Sequence, residues 1–223
     1  MKNNNNALII SILVGCFAIA LAIIFYAIKS APTTVPTQAP GVEVQKPIEI
    51  SVDDDAVLGD PDAPITLVEF SDYNCSYCKR HFTNTLPLIK EKYIDTGKVK
   101  MVFRDAAYFG ESSIALANAA SCAQEIGGDE AYYEIHSAIF KGNKDLNNLI
   151  SLGTEYGLDN EKFNNCVKNN ERLQEVLKDS QDARAYGVNG TPGFFINGVQ
   201  VSGAVPFQNF EQIIENQLSQ LNN

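Results

Sequence analysis

Cys75-Ser76-Tyr77-Cys78 places two thiols one helical turn apart. Such a pair can close a small disulfide ring, open it again and pass the oxidation to another protein. Zinc sites use the same spacing, so the surroundings decide between the two chemistries. Upstream, Ile65-Thr66-Leu67-Val68-Glu69-Phe70 is a short apolar run, which predicts a buried strand. Downstream, Lys79-Arg80-His81-Phe82 continues as the opening turns of a helix. The chain holds two histidines, His81 and His136, and neither stands at zinc-ligand spacing. Reversible disulfide exchange is the expected chemistry. It needs no metal and no organic cofactor, because the cysteine pair itself carries the electrons.

Only a thiolate attacks a disulfide, so Cys75 must titrate well below the free value of about 8.5. At a helix start its sulfur faces unpaired backbone N–H groups and the positive end of the helix dipole. The dipole supplies about one pKa unit, and direct N–H···S bonds must add the rest. Ser76 and Tyr77, between the cysteines, offer hydroxyl donors but no cation. Cys75 is therefore expected to be an ionised, exposed nucleophile, and Cys78 the resolving thiol. Glu69 is an acid inside the apolar strand. If buried, its pKa is expected to be raised by desolvation; the alternative is a strand-edge glutamate that reaches solvent.

The 223 residues, 45% of them hydrophobic, can bury one good-sized core. Net charge is −10, and because Lys2 and Lys29 are the only charges in residues 1–30, the remainder carries −12. An acidic domain without a basic cluster argues against nucleic acid or anionic lipid as a partner. Four segments are expected: a short flank at 1–6, a transmembrane anchor at 7–28, a Pro/Thr-rich tether at 29–52 and a domain at 53–223. The uncharged stretch Ala7–Ile28 is long enough to span a bilayer of about 30 Å. Leu13-Val14-Gly15-Cys16 also resembles a lipobox, so a lipoprotein and a cleaved secreted form stand beside the anchor. The tether favours extended backbone at about 3.1 Å per residue.

Within the domain, Asp53–Pro64 is polar and turn-rich, and Val99–Phe103 predicts a second strand. Helical periodicity runs from about 111 to 186, broken at Gly127-Gly128 and Gly157. Phe194-Phe195-Ile196, Asn197-Gly198 and Val199-Gln200-Val201 predict a hairpin, and Phe207–Leu221 a final amphipathic helix. Pro87 predicts a kink near Leu86 in the helix that follows the cysteines. The order is strand, redox helix, strand, helical block, hairpin, helix. That is an α/β thioredoxin fold with an inserted all-helical subdomain. From about Asp55 to Leu221 the chain resembles the DsbA-like thiol-disulfide oxidoreductases. The resemblance rests on Val68 to Cys78, on Phe103-Arg104-Asp105 and on Gly187 to Gly198.

The resemblance implies several roles. Glu69 falls where the family keeps a buried acid that exchanges protons with the resolving thiol. Thr191-Pro192 falls on a cis-proline loop that lies against the redox pair and binds extended substrate, with Ser76 and Tyr77 lining the same surface. Cys122 and Cys166, 44 residues apart, are either a second, structural disulfide known in some members or two buried free thiols. The best-known members carry Pro-His between the cysteines; Ser76-Tyr77 implies a less extreme thiolate and weaker oxidising power. Arg104, Asp105, His81 and Tyr73 either line the active face or pack as ordinary residues. The implied protein is a monomeric oxidase, membrane-tethered and extracytoplasmic. It acts on cysteine-containing exported proteins and is reoxidised by a quinone-linked membrane partner. A membrane-linked reductase or isomerase, and a non-catalytic peptide-binding holdase, are the alternatives.

Overall fold

A computed structural model describes residues 47–221. The expected anchor at 7–28, Cys16 and most of the tether lie outside the described residues. Among the described residues, no helix is long and apolar enough to cross a membrane.

Five strands form one sheet: β1 Val57–Leu58, β2 Ile65–Ser71, β3 Val99–Asp105, β4 Gly193–Ile196 and β5 Val199–Ser202, in the order β1-β3-β2-β4-β5. β2 and β3 run parallel, with Glu69 level with Phe103, while β4 runs antiparallel to β2 with Phe194 opposite Glu69. β1 was not expected. It is two residues long and is defined by its antiparallel pairing with Val102 and Met101, not by any pattern of its own.

The period of two divides β2 between two layers. Ile65 and Leu67 pack with Ile89, Tyr93, Phe210 and Ile214 on one side. Val68 and Phe70 pack with Val102, Ala183 and Phe195 on the other. Glu69 therefore points into the same layer as Leu67, beneath the redox helix.

That helix, α1, spans Ser76–Asn84. It stops at Thr85, and a new helix, α2 (Leu86–Ile89), runs on into a wider π-helical turn to Ile94. The expected kink is thus a break, because Pro87 lies in the first turn of α2, where its missing N–H leaves no bond unmade. The helical insertion comprises α3 (Glu111–Lys141), α4 (Leu146–Glu155), α5 (Asn160–Asn169) and α6 (Leu173–Ala185). α3 joins two segments that were expected to be separate. It bends at Gly128, whose φ of 77° is a conformation that favours glycine. α7 (Phe207–Leu221) closes the fold.

In the hairpin, Asn197 and Gly198 both take positive φ, as an Asn-Gly turn requires. A side chain at Gly198 would collide with the backbone of Ile48. Ile48 donates its N–H to the Gly198 carbonyl at 3.0 Å, so the last residues before the domain lie against the hairpin.

Cys122 on α3 and Cys166 on α5 are disulfide-bonded. Closing a loop with a sequence separation of 44 restricts the unfolded chain. Replacing both by Ala is expected to cost about 2–4 kcal/mol. Urea denaturation measures it, and a loss below about 0.5 kcal/mol would show that the bond constrains nothing.

Arg104, at the end of β3, is 0% exposed. Its Nε stands 2.7 Å from Asp55 and its Nη2 pairs with Asp179 and with Asp182, the latter at 3.0 Å. Nη1 donates to the Ser51 carbonyl at 3.1 Å. Asp179 also accepts the Asp105 N–H at 3.0 Å. Of the two readings open for Arg104 and Asp105, the active face and ordinary packing, the structure places both in the packed interior. Both are interior groups that tie β3 to α6 and to the segment before β1.

Candidate active site

The polypeptide turns from β2 into α1 around Asp72. This buried carboxylate accepts the Asn74 N–H at 2.7 Å, the Phe109 N–H at 3.0 Å and the Ser113 hydroxyl at 2.7 Å. Its own carbonyl accepts the Cys75 N–H at 3.0 Å. Lys144 ties down the same turn by donating to the Tyr73 carbonyl and to Asn74 Oδ1, both at 2.8 Å. Asp72 was missed in the sequence, although an Asp two residues before an Asn at a strand end is a turn signal. Tyr73 does not reach the surface: it is buried, with its hydroxyl 3.1 Å from His136 Nδ1.

Cys75 occupies the N-cap of α1, and no side chain caps that helix end. The first N–H groups are left for its sulfur. The hydrogen bond with Cys78 is the main cause that pulls the Cys75 thiol down to about 5. Thr191 and the N–H groups of Cys78 and Tyr77 add to it, against the opposing effect of burial. Cys75 was expected to be exposed, yet it is 4% exposed. It is flanked by Thr191, whose carbonyl oxygen lies 3.3 Å from Sγ. The Thr191–Pro192 peptide is cis.

Cys78 is fully buried, and burial pushes its thiol far up, with the Cys75 bond and the nearby charge of Glu69 acting in the same direction. One thiol is thus held as an anion and the other as a protonated store. Glu69 is 3% exposed, and burial raises its carboxyl to about 8, with the Cys75 charge adding and a Ser71 hydrogen bond opposing. His81 lies one turn beyond Cys78, its Nε2 3.6 Å from Glu69 Oε2. It is buried under the site and does not line the face. Burial pulls its imidazole down to about 3. Ser76 is exposed. Tyr77 is 57% exposed, with the Arg80 guanidinium 4.9 Å above its ring.

Residues 51–216 match the family model described as thioredoxin. This chain is a member of the thioredoxin family, of its DsbA-like thiol-disulfide oxidoreductase kind. It is an enzyme of the protein-disulfide oxidoreductase class. The "Probable disulfide bond formation protein D" of Bacillus cereus is 32% identical over 152 residues, 63% of this chain and 69% of that protein. "Disulfide bond formation protein D" of Bacillus subtilis is 26% identical over 187 residues, 75% and 79% of the two chains. Oxidised BdbD from Bacillus subtilis superposes with a TM-score of 0.70 at 24% identity, covering 79% of this chain and 97% of that one. Wolbachia pipientis alpha-DsbA1 follows at 0.64 and 27%, covering 75% and 92%.

The DsbA-like pair thus comes together with four of its expected neighbours. Glu69 stands below Cys78, Thr191 beside Cys75, and Ser76 with Tyr77 on the open side. Cys122 and Cys166 pair with each other in the helical insertion. His81 was legible only as a residue on the Cys78 face of α1, three positions on.

Proposed function

We propose that this chain is a membrane-tethered, extracytoplasmic thiol-disulfide oxidase that transfers the Cys75–Cys78 disulfide to cysteine-containing exported proteins. A thiolate of the substrate attacks Cys75, and Cys78 departs as a thiolate that takes a proton from Glu69. A second substrate thiolate then displaces Cys75, which leaves as the stabilised anion. Thr191 and Pro192 offer the extended substrate its backbone contacts, and Ser76 and Tyr77 border it. A quinone-linked membrane partner regenerates the disulfide, and the enzyme works as a monomer.

The observation that carries the oxidase direction is the low thiol of Cys75, at about 5. The thiolate exists only in the reduced enzyme. Lowering its pKa favours that form with a gain that is complete above the ordinary thiol range and is lost as pH falls through 5. After solvent screening this contributes about 2 kcal/mol at pH 7, or about 40 mV in the oxidising direction. Equilibration with glutathione tests it. A potential toward about −120 mV supports an oxidase, and one near about −270 mV makes the chain a reductase. Cys78→Ser is expected to accumulate mixed disulfides through Cys75 in cells; their absence would remove the exchange mechanism. Alkylation of the native protein in intact cells by a membrane-impermeant reagent tests the location.

A further inference from the structure

His81 lies at the bottom of the site with no role in the exchange steps just described. It is buried, and neither ring nitrogen has a hydrogen-bond partner among the described residues. Its ring is wedged between Phe194, at 4.5 Å, and Phe210, at 5.3 Å. Buried polar groups are nearly always paired, and an imidazole without a partner is costly in an apolar slot that a phenyl ring would fill. The polar atom within reach is Glu69 Oε2, 3.6 Å from Nε2. A shift of less than about 1 Å makes this a hydrogen bond of ordinary length.

The groups around this pair are few. β2 contributes Glu69 and the Ser71 hydroxyl that bonds to it, and α1 contributes Cys75 and Cys78. The Tyr73 and Tyr133 hydroxyls feel the charge of Glu69. β4 and α7 present the rings of Phe194 and Phe210.

We propose that His81 is a positioning residue for Glu69: its Nε2–H donates to the Glu69 carboxylate once that group has given up its proton, and so keeps a base available to Cys78. The inference rests on the exchange reading above. It concerns the step in which a mixed disulfide on Cys75 is resolved. The Cys78 S–H bond breaks and its proton passes to Glu69. The electron pair left on Cys78 forms the Cys75–Cys78 bond, and the partner leaves as a thiolate with the pair of the broken disulfide. Burial raises Glu69 to about 8 with no share from His81, so without a donor the base is scarce at pH 7. A charge-assisted bond favours the carboxylate, so its loss is expected to raise Glu69 by about one unit and deplete the base about tenfold.

Reaction of the reduced protein with dithiobisnitrobenzoate reads this step directly. Attack by Cys75 releases one coloured thiolate, and closure by Cys78 releases the second. In the wild type, where His81 favours the carboxylate, the second release is expected to inflect below pH 8. In His81→Phe, which keeps the aromatic packing, it should inflect about one unit higher and run about tenfold slower at pH 7, with the first release unchanged. His81→Gln, which retains an N–H donor, should recover most of the rate. An unshifted profile in His81→Phe, or no recovery in His81→Gln, overturns the role. Should His81→Phe fail to fold, nitrogen NMR of the wild type decides. An Nε2-protonated ring that responds to Glu69 titration supports the role, and an Nδ1-protonated ring indifferent to it overturns it. A wild type with no second release at all would instead remove the exchange reading itself.

Discussion

Arg104→Met is expected to destabilise the domain by about 3–5 kcal/mol at pH 8, a large fraction of a typical folding free energy. The guanidinium is fully enclosed, and it pairs with Asp55, Asp179 and Asp182. Methionine has similar length and no charge, so the volume is kept and the compensation is lost. What remains is a set of buried carboxylates facing one another. Burial raises Asp55, Asp105 and Asp179, while the charge of Arg104 holds all three down. Without Arg104 they must rise further. A raised carboxylate favours the folded state at low pH, where both states are protonated, and loses that advantage as pH climbs toward its folded value. The deficit of the variant should therefore shrink between pH 8 and pH 5. Urea unfolding at the two pH values measures it. A loss under about 1 kcal/mol, or one indifferent to pH, would mean that the cluster neutralises itself without the arginine.

The parts of this molecule that were legible in the sequence are the local ones. Cys75 and Cys78 stand between an apolar run and a helical run, and covalent proximity alone puts them at the junction of β2 and α1. Asn197-Gly198 carries its turn geometry in its own residue types. What escaped the reading depends on partners far away along the chain. β1 is a strand because Val57 and Leu58 find the edge of β3, and two residues hold no period. Arg104 stayed open between the active face and ordinary packing because its counter-charges lie about 50 and 75 positions away, on elements that meet only in the fold. Cys75 was expected in solvent, since nothing local reveals that the Thr191 carbonyl comes to lie on its sulfur from 116 residues further on.

The site sets two neighbouring sulfurs against each other, and one physical asymmetry does it. Cys75 sits at the helix end, where N–H groups are unpaired, and Cys78 sits one turn inside, where they are already spent on the helix. Burial raises both thiols; the donors around Cys75 overcome it, while the Ser71 hydroxyl and the Asp72 N–H do not offset it at Cys78. A proton can leave Cys78 only toward another interior group. That makes Glu69 costly and useful for the same reason.

Glu69→Gln is accordingly expected to stabilise the protein at alkaline pH while it slows the chemistry. Glu69 rises from an ordinary value of 4.5 to about 8 because it is buried. Below pH 4.5 the folded and unfolded chains both hold the proton, and the site contributes its full stability. Between 4.5 and 8 the unfolded chain releases the proton and the folded chain does not, so stability falls steadily with pH. Above 8 the decline is complete, at about 5 kcal/mol for a shift of this size. Glutamine cannot ionise, fits the same space and leaves this part of the curve flat. The opposite pH dependence of the Cys75 thiolate is present in both proteins and largely cancels in their difference. Urea denaturation of the reduced proteins from pH 4 to pH 9 should show the variant gaining several kcal/mol on the wild type as pH rises. A difference that stays level across that range would mean that Glu69 ionises freely in the folded state. A freely ionised Glu69 could not hold the proton that Cys78 needs on leaving, and the acid would have to be sought elsewhere in the site.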